Sequence, residues 1–243
     1  MQIDINCDLG EGSGNDAHLM PLISSCNIAC GGHYGDKETI RATIQLAKKH
    51  QVKIGAHPSY PDKEGFGRAS MALSPEEFTK TISEQLSLFF DVATTEGVTV
   101  HHIKAHGALY NDLVKDTLKV KVFLSSISPY KQQIKLFAPY ESVLRKVASE
   151  QGFEICYEAF ADRNYNEDLS LVSRKNKQAL IENPNEVATH VLNMIQNGIV
   201  KTINGSQISI QAQTLCIHGD HVYSVEILKH IHKVFQKDKI TIV

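Results

Sequence analysis

The chain has 243 residues, of which 42% are hydrophobic and 21% charged, and its formal net charge is −2. Such a composition fits one globular domain of the larger sort rather than a disordered or membrane protein. No block of lysine or arginine offers a field for nucleic acid, and no run of about 18 apolar residues could span a membrane. We therefore expect neither nucleic acid nor a membrane as a partner.

The start of the chain and its cysteines indicate the cell compartment. Residues 1–4 lead directly into a strand, without the basic segment and apolar run of an export signal. The cysteines form no Cys-x-x-Cys pair and mostly lie in apolar strand-like runs, which is typical of reduced core thiols. They are Cys7, Cys26, Cys30, Cys156 and Cys216. We expect a cytoplasmic protein.

Predicted strands alternate with predicted helices along the chain. Apolar runs with alternation or β-branched residues predict seven strands, at residues 3–8, 23–30, 52–57, 98–103, 134–138, 153–160 and 214–218. Helix-start signals include Asp36 as an N-cap, Ser74-Pro75 with Glu77 as a capping box, and Asn183-Pro184. Residues 199–211 predict a β-hairpin with a type I′ turn at Asn204-Gly205.

Polar residues at the strand ends decide between an open sheet and a closed barrel. An open parallel sheet concentrates its site at one switch point, whereas a barrel gathers all strand ends at one mouth. Six different strands are each followed by one such residue, namely Asp8, His33, His57, His106, Glu158 and His218. The sequence therefore predicts an α/β fold: an incomplete, roughly seven-stranded (β/α) barrel that forms a single catalytic domain over residues 1–243, with the hairpin as an insertion.

The end of the fourth strand carries the densest group of reactive side chains. His102, Lys104 and His106 alternate on one strand face, and Gly107 permits a sharp turn into a loop that carries Tyr110 and Asn111. An ammonium and imidazoles fixed at a strand end can hold negative charge and transfer protons. This stretch therefore predicts part of a catalytic mouth.

No phosphate-binding motif is complete in this chain. The loop Gly10-Glu11-Gly12-Ser13-Gly14 has Asn15 where a dinucleotide fingerprint needs its third glycine. Gly35-Asp36-Lys37 lacks the glycine that directly precedes a Walker lysine. Gly31-Gly32 is a second weak candidate for a backbone cradle. We therefore expect the chain by itself to bind nucleotide poorly.

Long consecutive motifs resemble those of the LamB/YcsF family over essentially the whole chain. They include Asn6-Cys7-Asp8-Leu9-Gly10-Glu11-Gly12, Asn27-Ile28-Ala29-Cys30-Gly31, Gly55-Ala56-His57-Pro58, Gly65-Phe66-Gly67-Arg68, His106-Gly107-Ala108-Leu109-Tyr110-Asn111, Phe160-Ala161-Asp162-Arg163 and His218-Gly219-Asp220. Departures from the family's usual pattern flank the polar residues without removing any, so they bear on loop shape and substrate fit. They are Gly32, Tyr34, Ser59, Ala105 and Val222.

The resemblance implies a seven-stranded barrel of the glycoside hydrolase/deacetylase kind. It also implies opening of the lactam of 5-oxo-L-proline to L-glutamate, coupled to ATP hydrolysis and carried out with partner subunits B and C. Magnesium would arrive with the nucleotide, so we expect that no tightly bound metal is required.

The residue types suggest roles at the mouth and leave some assignments open. Lys104, with Arg68 or Arg163, would hold carboxylate or phosphate charge; Asp8 or Glu158 would activate water, and His106 or His57 would carry the proton to the leaving nitrogen. We predict as catalytic Asp8, Lys104, His106, Glu158 and His57. We predict as substrate-binding Asn6, His33, Arg68, Tyr110, Asn111, Asp162, Arg163, His218 and Asp220.

Two other functions remain open. Asp8 with two of His33, His57 and His106 could bind a divalent metal, which fits a deacetylase-like hydrolase of a carbohydrate amide. The third interpretation is a non-catalytic protein that binds 5-oxoproline for its partners. Metal analysis and activity of the isolated chain distinguish the three.

Overall fold

The computed structural model describes residues 1–243, and strands alternate with helices along the chain. The strands are β1 (Gln2–Leu9), β2 (Ser25–Ala29), β3 (Lys53–His57), β4 (Val100–Ile103), β5 (Lys135–Pro139), β6 (Glu154–Phe160), β7 (Ile199–Lys201), β8 (Gln207–Ser209), β9 (Thr214–Ile217) and β10 (Thr241–Ile242). The helices are α1 (Asp16–Leu19), α2 (Lys37–His50), α3 (Pro75–Thr95), α4 (Gly107–Lys115), α5 (Thr117–Ile127), α6 (Val143–Glu150), α7 (Pro184–Asn197) and α8 (Ser224–Lys237). No helix combines the length and apolar composition that a membrane crossing requires.

Seven parallel strands close into a barrel in the order β1-β2-β3-β4-β5-β6-β9. Closure comes from β9, which pairs with β6 on one side and with β1 on the other, for example through Asn6 and Cys216. The prediction of a roughly seven-stranded barrel is confirmed. The barrel is incomplete only in having fewer strands than the common eight, because its sheet has no open gap. The short β10 pairs with the first residues of β1 outside this circle.

Alternation along the strands separates two environments. Ile3, Ile5 and Cys7 on β1 are buried in a hydrophobic cluster of 59 residues. Asp4, Asn6 and Asp8 point the other way, because successive side chains of a strand lie on opposite faces. Their contacts with residues that belong to β9 or follow β4 place them inside the barrel. The barrel interior is therefore polar, and the apolar core lies outside it.

The helix-start signals are confirmed where a side chain caps the helix. Asp36 accepts from the backbone of Glu38 and Thr39, and Ser74 accepts from the Glu77 backbone while the Glu77 side chain accepts from the Ser74 backbone. A different outcome holds after β4, where the sequence predicts a loop but the chain forms α4 from Gly107. No side chain caps this helix, so the sequence carries no start signal for it.

The hairpin insertion is also confirmed, as an antiparallel pair of β7 and β8. Its predicted type I′ turn is wrong. That turn needs a positive φ at both central residues, and of Asn204 and Gly205 only Gly205 has one. The connection is longer, with the backbone of Thr202 bonded to both Gly205 and Ser206.

Candidate active site

The carboxyl ends of the barrel strands surround a cleft of about 540 Å³. Ten of the residues that the sequence selects line it: Asp8, His57, Arg68, Lys104, His106, Tyr110, Asn111, Arg163, His218 and Asp220. Four others lie behind this lining, each at most 2% exposed: Asn6, His33, Glu158 and Asp162. Asn6, His33 and Asp162 contact residues that line the cleft, and their predicted role in substrate binding stays a prediction.

Lys104 lies at the centre of the polar interior. Its Nζ is 2.9 Å from Asp8 Oδ1 and 2.9 Å from Glu158 Oε1. The same atom donates to Asn6 Oδ1 at 3.3 Å and to Cys216 Sγ at 3.0 Å, and lies 5.2 Å from the centre of the Phe160 ring. Residues from β1, β6 and β9 thus converge on a single ammonium that follows β4.

Opposite charges keep this buried group ionised. Burial lowers the pKa of Lys104, but the charges of Asp8 and Glu158 and the hydrogen bond to the Cys216 sulfur more than offset this and raise its pKa well above the usual value. Burial likewise raises the pKa of Asp8, yet His57 and Lys104 hold that pKa well below its usual range. The cleft therefore contains a permanent cation and at least one permanent carboxylate at neutral pH.

Three histidines and Glu11 form a compact cluster beside Asp8. His57 Nε2 is 3.0 Å from His106 Nδ1 and 3.5 Å from Asp8 Oδ2. Glu11 Oε1 is 3.3 Å from His106 Nδ1 and 2.9 Å from His33 Nε2. The ring of His33 stacks on that of His106 at 3.7 Å. Burial lowers the pKa of His33 to about 4 despite its bond to Glu11, so this ring is neutral at neutral pH.

Glu11 is the residue that sequence reasoning missed. The glycines around it suggested only a turn, but Gly10 has φ +70 and returns the chain so that Glu11 is buried beside the histidines. Burial raises the pKa of Glu11, and contacts with His106 and His33 more than offset this, so its pKa lies below the usual range. A carboxylate three residues after Asp8 at a strand end was the available signal.

Four residues offer ligand atoms that lie within 4.8 Å of one another: Asp8, Glu11, His57 and His106. Three of these belong to the metal-binding set predicted from sequence. The fourth predicted candidate, His33, is not in the group, because its Nε2 is bonded to Glu11. Glu11, which the sequence did not indicate, is the remaining member of the group.

A hydrogen-bonded row supports the cleft from below. Asn27 Nδ2 donates to Asp8 Oδ1 at 2.8 Å and to Asn6 Oδ1 at 2.7 Å, while its own Oδ1 accepts from His102 Nε2 at 2.7 Å. The His102 ring has room only because residue 55 is glycine. A Cβ on Gly55 would lie 2.1 Å from His102 Nε2.

The outer residues of the cleft form fixed pairs. Asp162 accepts from His218 Nδ1 at 3.0 Å and from the His218 backbone at 3.1 Å, which leaves His218 Nε2 without a protein partner. Arg68 pairs with Asp220 across the cleft. Arg163 donates to the carbonyls of Val172 and Ala179, so its guanidinium holds a loop in place.

Two exposed cations that the sequence did not indicate also line the cleft. They are Arg174 and Lys175, in the segment between β6 and α7, and neither forms an ion pair. Tyr110 lies deeper and is buried. Burial and the nearby Glu158 raise the pKa of Tyr110 well above its usual value, so its hydroxyl stays protonated.

A second cleft, of about 650 Å³, lies at the opposite end of the barrel. Two of its four lysines form ion pairs, Lys135 with Glu154 at 2.9 Å and Lys53 with Asp4 at 3.3 Å. The other two, Lys48 and Lys131, donate to backbone carbonyls. It contains no group of converging ligands comparable with the cluster at the mouth. The mouth is therefore the candidate active site.

The parallel strands form a closed barrel, and a buried lysine, carboxylates and histidines lie at its mouth. This arrangement is typical of (β/α)-barrel enzymes. The chain belongs to the LamB/YcsF family, whose model matches residues 3–243.

Its relatives match over almost their full length. The chain is 40% identical over 248 residues to the A subunit of 5-oxoprolinase from Pyrococcus abyssi and 42% identical over 248 residues to the A subunit of 5-oxoprolinase from Thermococcus sibiricus. Each match covers 100% of this chain and 97% of the relative. The solved structure of the lactam utilization protein from Thermus thermophilus is 33% identical, with a TM-score of 0.92, and the match covers 100% of this chain and 99% of that one.

Proposed function

We propose that this protein is the A subunit of an ATP-dependent 5-oxoprolinase, a hydrolase that opens the lactam of 5-oxo-L-proline to L-glutamate. The family and the names of the relatives support the cyclic-amide substrate. The observation that carries the chemistry is the ammonium of Lys104, held between Asp8 and Glu158 beside a cleft large enough for a small ligand.

A five-membered lactam is a resonance-stabilised amide, so its carbonyl must be activated before water attacks. When ATP is bound, phosphorylation of the lactam oxygen supplies that activation. With ADP released in that transfer, water would then add to the carbonyl carbon, the carbon–nitrogen bond would break and the nitrogen would leave with a proton, which gives γ-glutamyl phosphate. A second water molecule would release inorganic phosphate from it and give L-glutamate. Lys104 stabilises the negative charge that develops on the oxygen, and a fixed charge in a closed site is effective because it needs no reorganisation.

The proton for the leaving nitrogen comes most directly from His218. Asp162 fixes the Nδ1 proton of this ring, and Nε2 remains free on a side chain that lines the cleft. This is the orientation in which a histidine can accept a proton from water and return it to nitrogen. His106 and His57, the carriers suggested by sequence, have their ring nitrogens engaged with backbone carbonyls and with each other.

The substrate carboxylate finds its opposite charge at the rim. Arg174 and Lys175 are exposed cations without ion-pair partners, whereas Arg68 and Arg163 are engaged within the protein. We therefore assign the attraction of the anionic substrate to Arg174 and Lys175. The sequence had suggested Arg68 and Arg163 for this role.

Nucleotide binding requires groups beyond this chain. The Gly10 amide in the glycine loop already donates to the carboxylate of Asp16 at 2.8 Å, so an anion occupies the place where a phosphate would be held. We therefore propose that subunits B and C supply most of the ATP site and dock near the mouth.

The test is consumption of 5-oxoproline by the chain alone and with subunits B and C, each with and without ATP. We expect turnover only in the complete mixture with ATP, and His218→Gln should reduce it by about 100-fold or more. Lys229→Gln, an exposed change on α8, is the control and should leave turnover unchanged. Robust ATP-dependent glutamate release by the chain alone would contradict the need for partners, and no turnover in the complete mixture would contradict the function itself.

The ligand cluster favours one alternative, a metal-dependent hydrolase of a carbohydrate amide. Its ligands lie in the same cleft as Lys104. Acetate release from N-acetylated sugars by the metal-loaded chain alone, without ATP, would favour this alternative over the lactam reaction.

A further inference from the structure

The hydrogen bonds around His57 and His106 determine where each ring carries its proton. His57 Nδ1 lies 2.8 Å from the carbonyl oxygen of Lys104, and His106 Nε2 lies 3.0 Å from the carbonyl oxygen of Phe66. A carbonyl only accepts hydrogen bonds, so both of these nitrogens must be protonated. In the neutral rings, the remaining nitrogens, His57 Nε2 and His106 Nδ1, therefore carry lone pairs.

Those two lone pairs face each other at 3.0 Å, which is unfavourable without a positive charge between them. Two carboxylate oxygens complete the group, with Asp8 Oδ2 at 3.5 Å from His57 Nε2 and Glu11 Oε1 at 3.3 Å from His106 Nδ1. The cation of Lys104 does not serve this purpose, because it contacts the other oxygen of Asp8. Four acceptor atoms thus converge on one point with no donor among them.

We propose that Asp8, Glu11, His57 and His106 bind one divalent transition-metal ion. Bonds of about 2.0–2.1 Å to a tetrahedral zinc ion separate neighbouring ligand atoms by roughly 3.3 Å. Four of the separations here are 3.0, 3.3, 3.5 and 3.9 Å, and all four ligand atoms lie within 4.8 Å of one another, so a bound ion would draw the more distant ligands inward. A mixed set of imidazole and carboxylate ligands suits zinc or manganese better than magnesium, which prefers oxygen alone.

The surroundings have the form of a supporting shell for a metal. Ligating histidines usually donate their second ring proton to a carbonyl or carboxylate, and ligating carboxylates are themselves hydrogen-bonded. His57 and His106 each donate to a backbone carbonyl. Asp8 accepts from Asn27, and Glu11 is bonded to His33. Every ligand is thus held by a partner outside the group of four.

The site opens on the cleft, since all four ligands line it. A bound ion could therefore polarise a substrate carbonyl or activate a water molecule. The expectation of no tightly bound metal remains a competing prediction. The proposal stands on the geometry of these four side chains and does not rest on the identity of the substrate.

The competing explanation is a proton shared between His57 and His106. A binding experiment distinguishes it from a bound metal ion. The full chain, stripped with a chelator, is titrated at neutral pH with Zn²⁺, Mn²⁺ or Mg²⁺ alone in a calorimeter. We expect one Zn²⁺ or Mn²⁺ per chain and at least about 100-fold weaker binding of Mg²⁺. Co²⁺ should give the visible absorption of a low-symmetry protein site.

Glu11→Gln keeps the size of the side chain and should weaken Zn²⁺ binding by at least about tenfold, and His57→Ala should abolish it. His18→Ala, an exposed histidine on α1, is the control and should bind as the wild type does. Thermal unfolding without metal verifies that each variant is folded. Absence of Zn²⁺ and Mn²⁺ binding to the wild type, or binding that Glu11→Gln and His57→Ala leave unchanged, would overturn the proposal.

Discussion

Lys104 shows how one side chain can serve both stability and chemistry. A position at a strand end suggests a side chain outside the core, whereas the Lys104 side chain is buried. Lys104 is 1% exposed and compensates Asp8 and Glu158 at once. Removing one partner of a buried ion pair leaves uncompensated charge, which is more costly than losing an exposed pair.

We predict that Lys104→Met reduces turnover in the complete mixture by about 100-fold or more and lowers the free energy of unfolding by about 3 kcal/mol or more. Urea unfolding followed by circular dichroism measures the second effect. The double variant Lys104→Met with Glu158→Gln should recover part of the lost stability, because it no longer buries an unpaired charge at Glu158. It should recover none of the turnover. Lys80→Met, on the exposed face of α3, should change neither, and equal effects of the two lysine variants would refute the role of Lys104.

Among the elements, α4 depends most on contacts with the rest of the molecule. Gly107 has φ +53, and a Cβ there would lie 2.6 Å from the carbonyl oxygen of Gly67. The Ala108 amide donates to that same carbonyl at 2.9 Å, which replaces the missing side-chain cap. Near its other end, Asp112 accepts from Tyr60 at 2.7 Å, from Ser70 at 2.9 Å and from Lys119 at 2.5 Å.

This anchor should make stability depend on pH. Burial raises the pKa of Asp112, but hydrogen bonds from Lys119, Tyr60 and Ser70 more than offset this, so its pKa lies below the ordinary value of 3.8. Because folding lowers the pKa of Asp112, its carboxylate stabilises the folded state fully when the pH is above the ordinary pKa of 3.8. This stabilisation is lost as the pH falls through the lowered pKa of the folded state.

We therefore predict that Asp112→Asn is less stable than the wild type at pH 7 and loses less further stability between about pH 5 and pH 3. Urea unfolding across that range measures the difference. Asp91→Asn, an exposed change on α3, should follow the wild-type profile. A decline in Asp112→Asn as steep as that of the wild type would show that other carboxylates dominate.

At the scale of the whole molecule, barrel closure is reinforced by one carboxylate. Asp4 accepts from Ser25 at 2.6 Å, from Thr214 at 2.5 Å and from Ser24 at 3.0 Å, and Lys53 approaches it at 3.3 Å. Ser25 lies on β2, Thr214 on β9 and Lys53 on β3, and Ser24 directly precedes β2. Asp4 on β1 therefore connects the closing strand β9 to its neighbours.

We predict that Asp4→Ala lowers the free energy of unfolding by about 2 kcal/mol or more, because it leaves buried hydroxyls without partners. The slope of the urea transition should stay unchanged if the barrel still unfolds as one unit. Asp238→Ala, an exposed change after α8, is the control. A loss for Asp4→Ala no larger than that of the control would show that the strand pairing alone closes the barrel.

Contacts across the whole molecule explain which features could be predicted from the sequence and which could not. Strands such as β1 follow from local alternation, and the common mouth follows from topology, since parallel strand ends must meet. Glu11 and α4 could not be predicted in this way, because the buried position of Glu11 and the start of α4 depend on contacts distant in sequence. The bond between His33 and Glu11 could not be predicted for a related reason, since only packing shows that Glu11 engages this ring.

The polar row inside the barrel has a consequence for redesign. Thr214 donates to Asp4, Asn6 donates to Thr214, and Asn27 donates to Asn6 and Asp8, so each member satisfies the next. A library that varies one interior position at a time would select against nearly every change, because each leaves a neighbour unsatisfied. Replacing the row below Asp8 as a set, by apolar residues of matched volume, avoids that barrier. Directed evolution of this barrel should therefore vary the interior in blocks and the rim residue by residue.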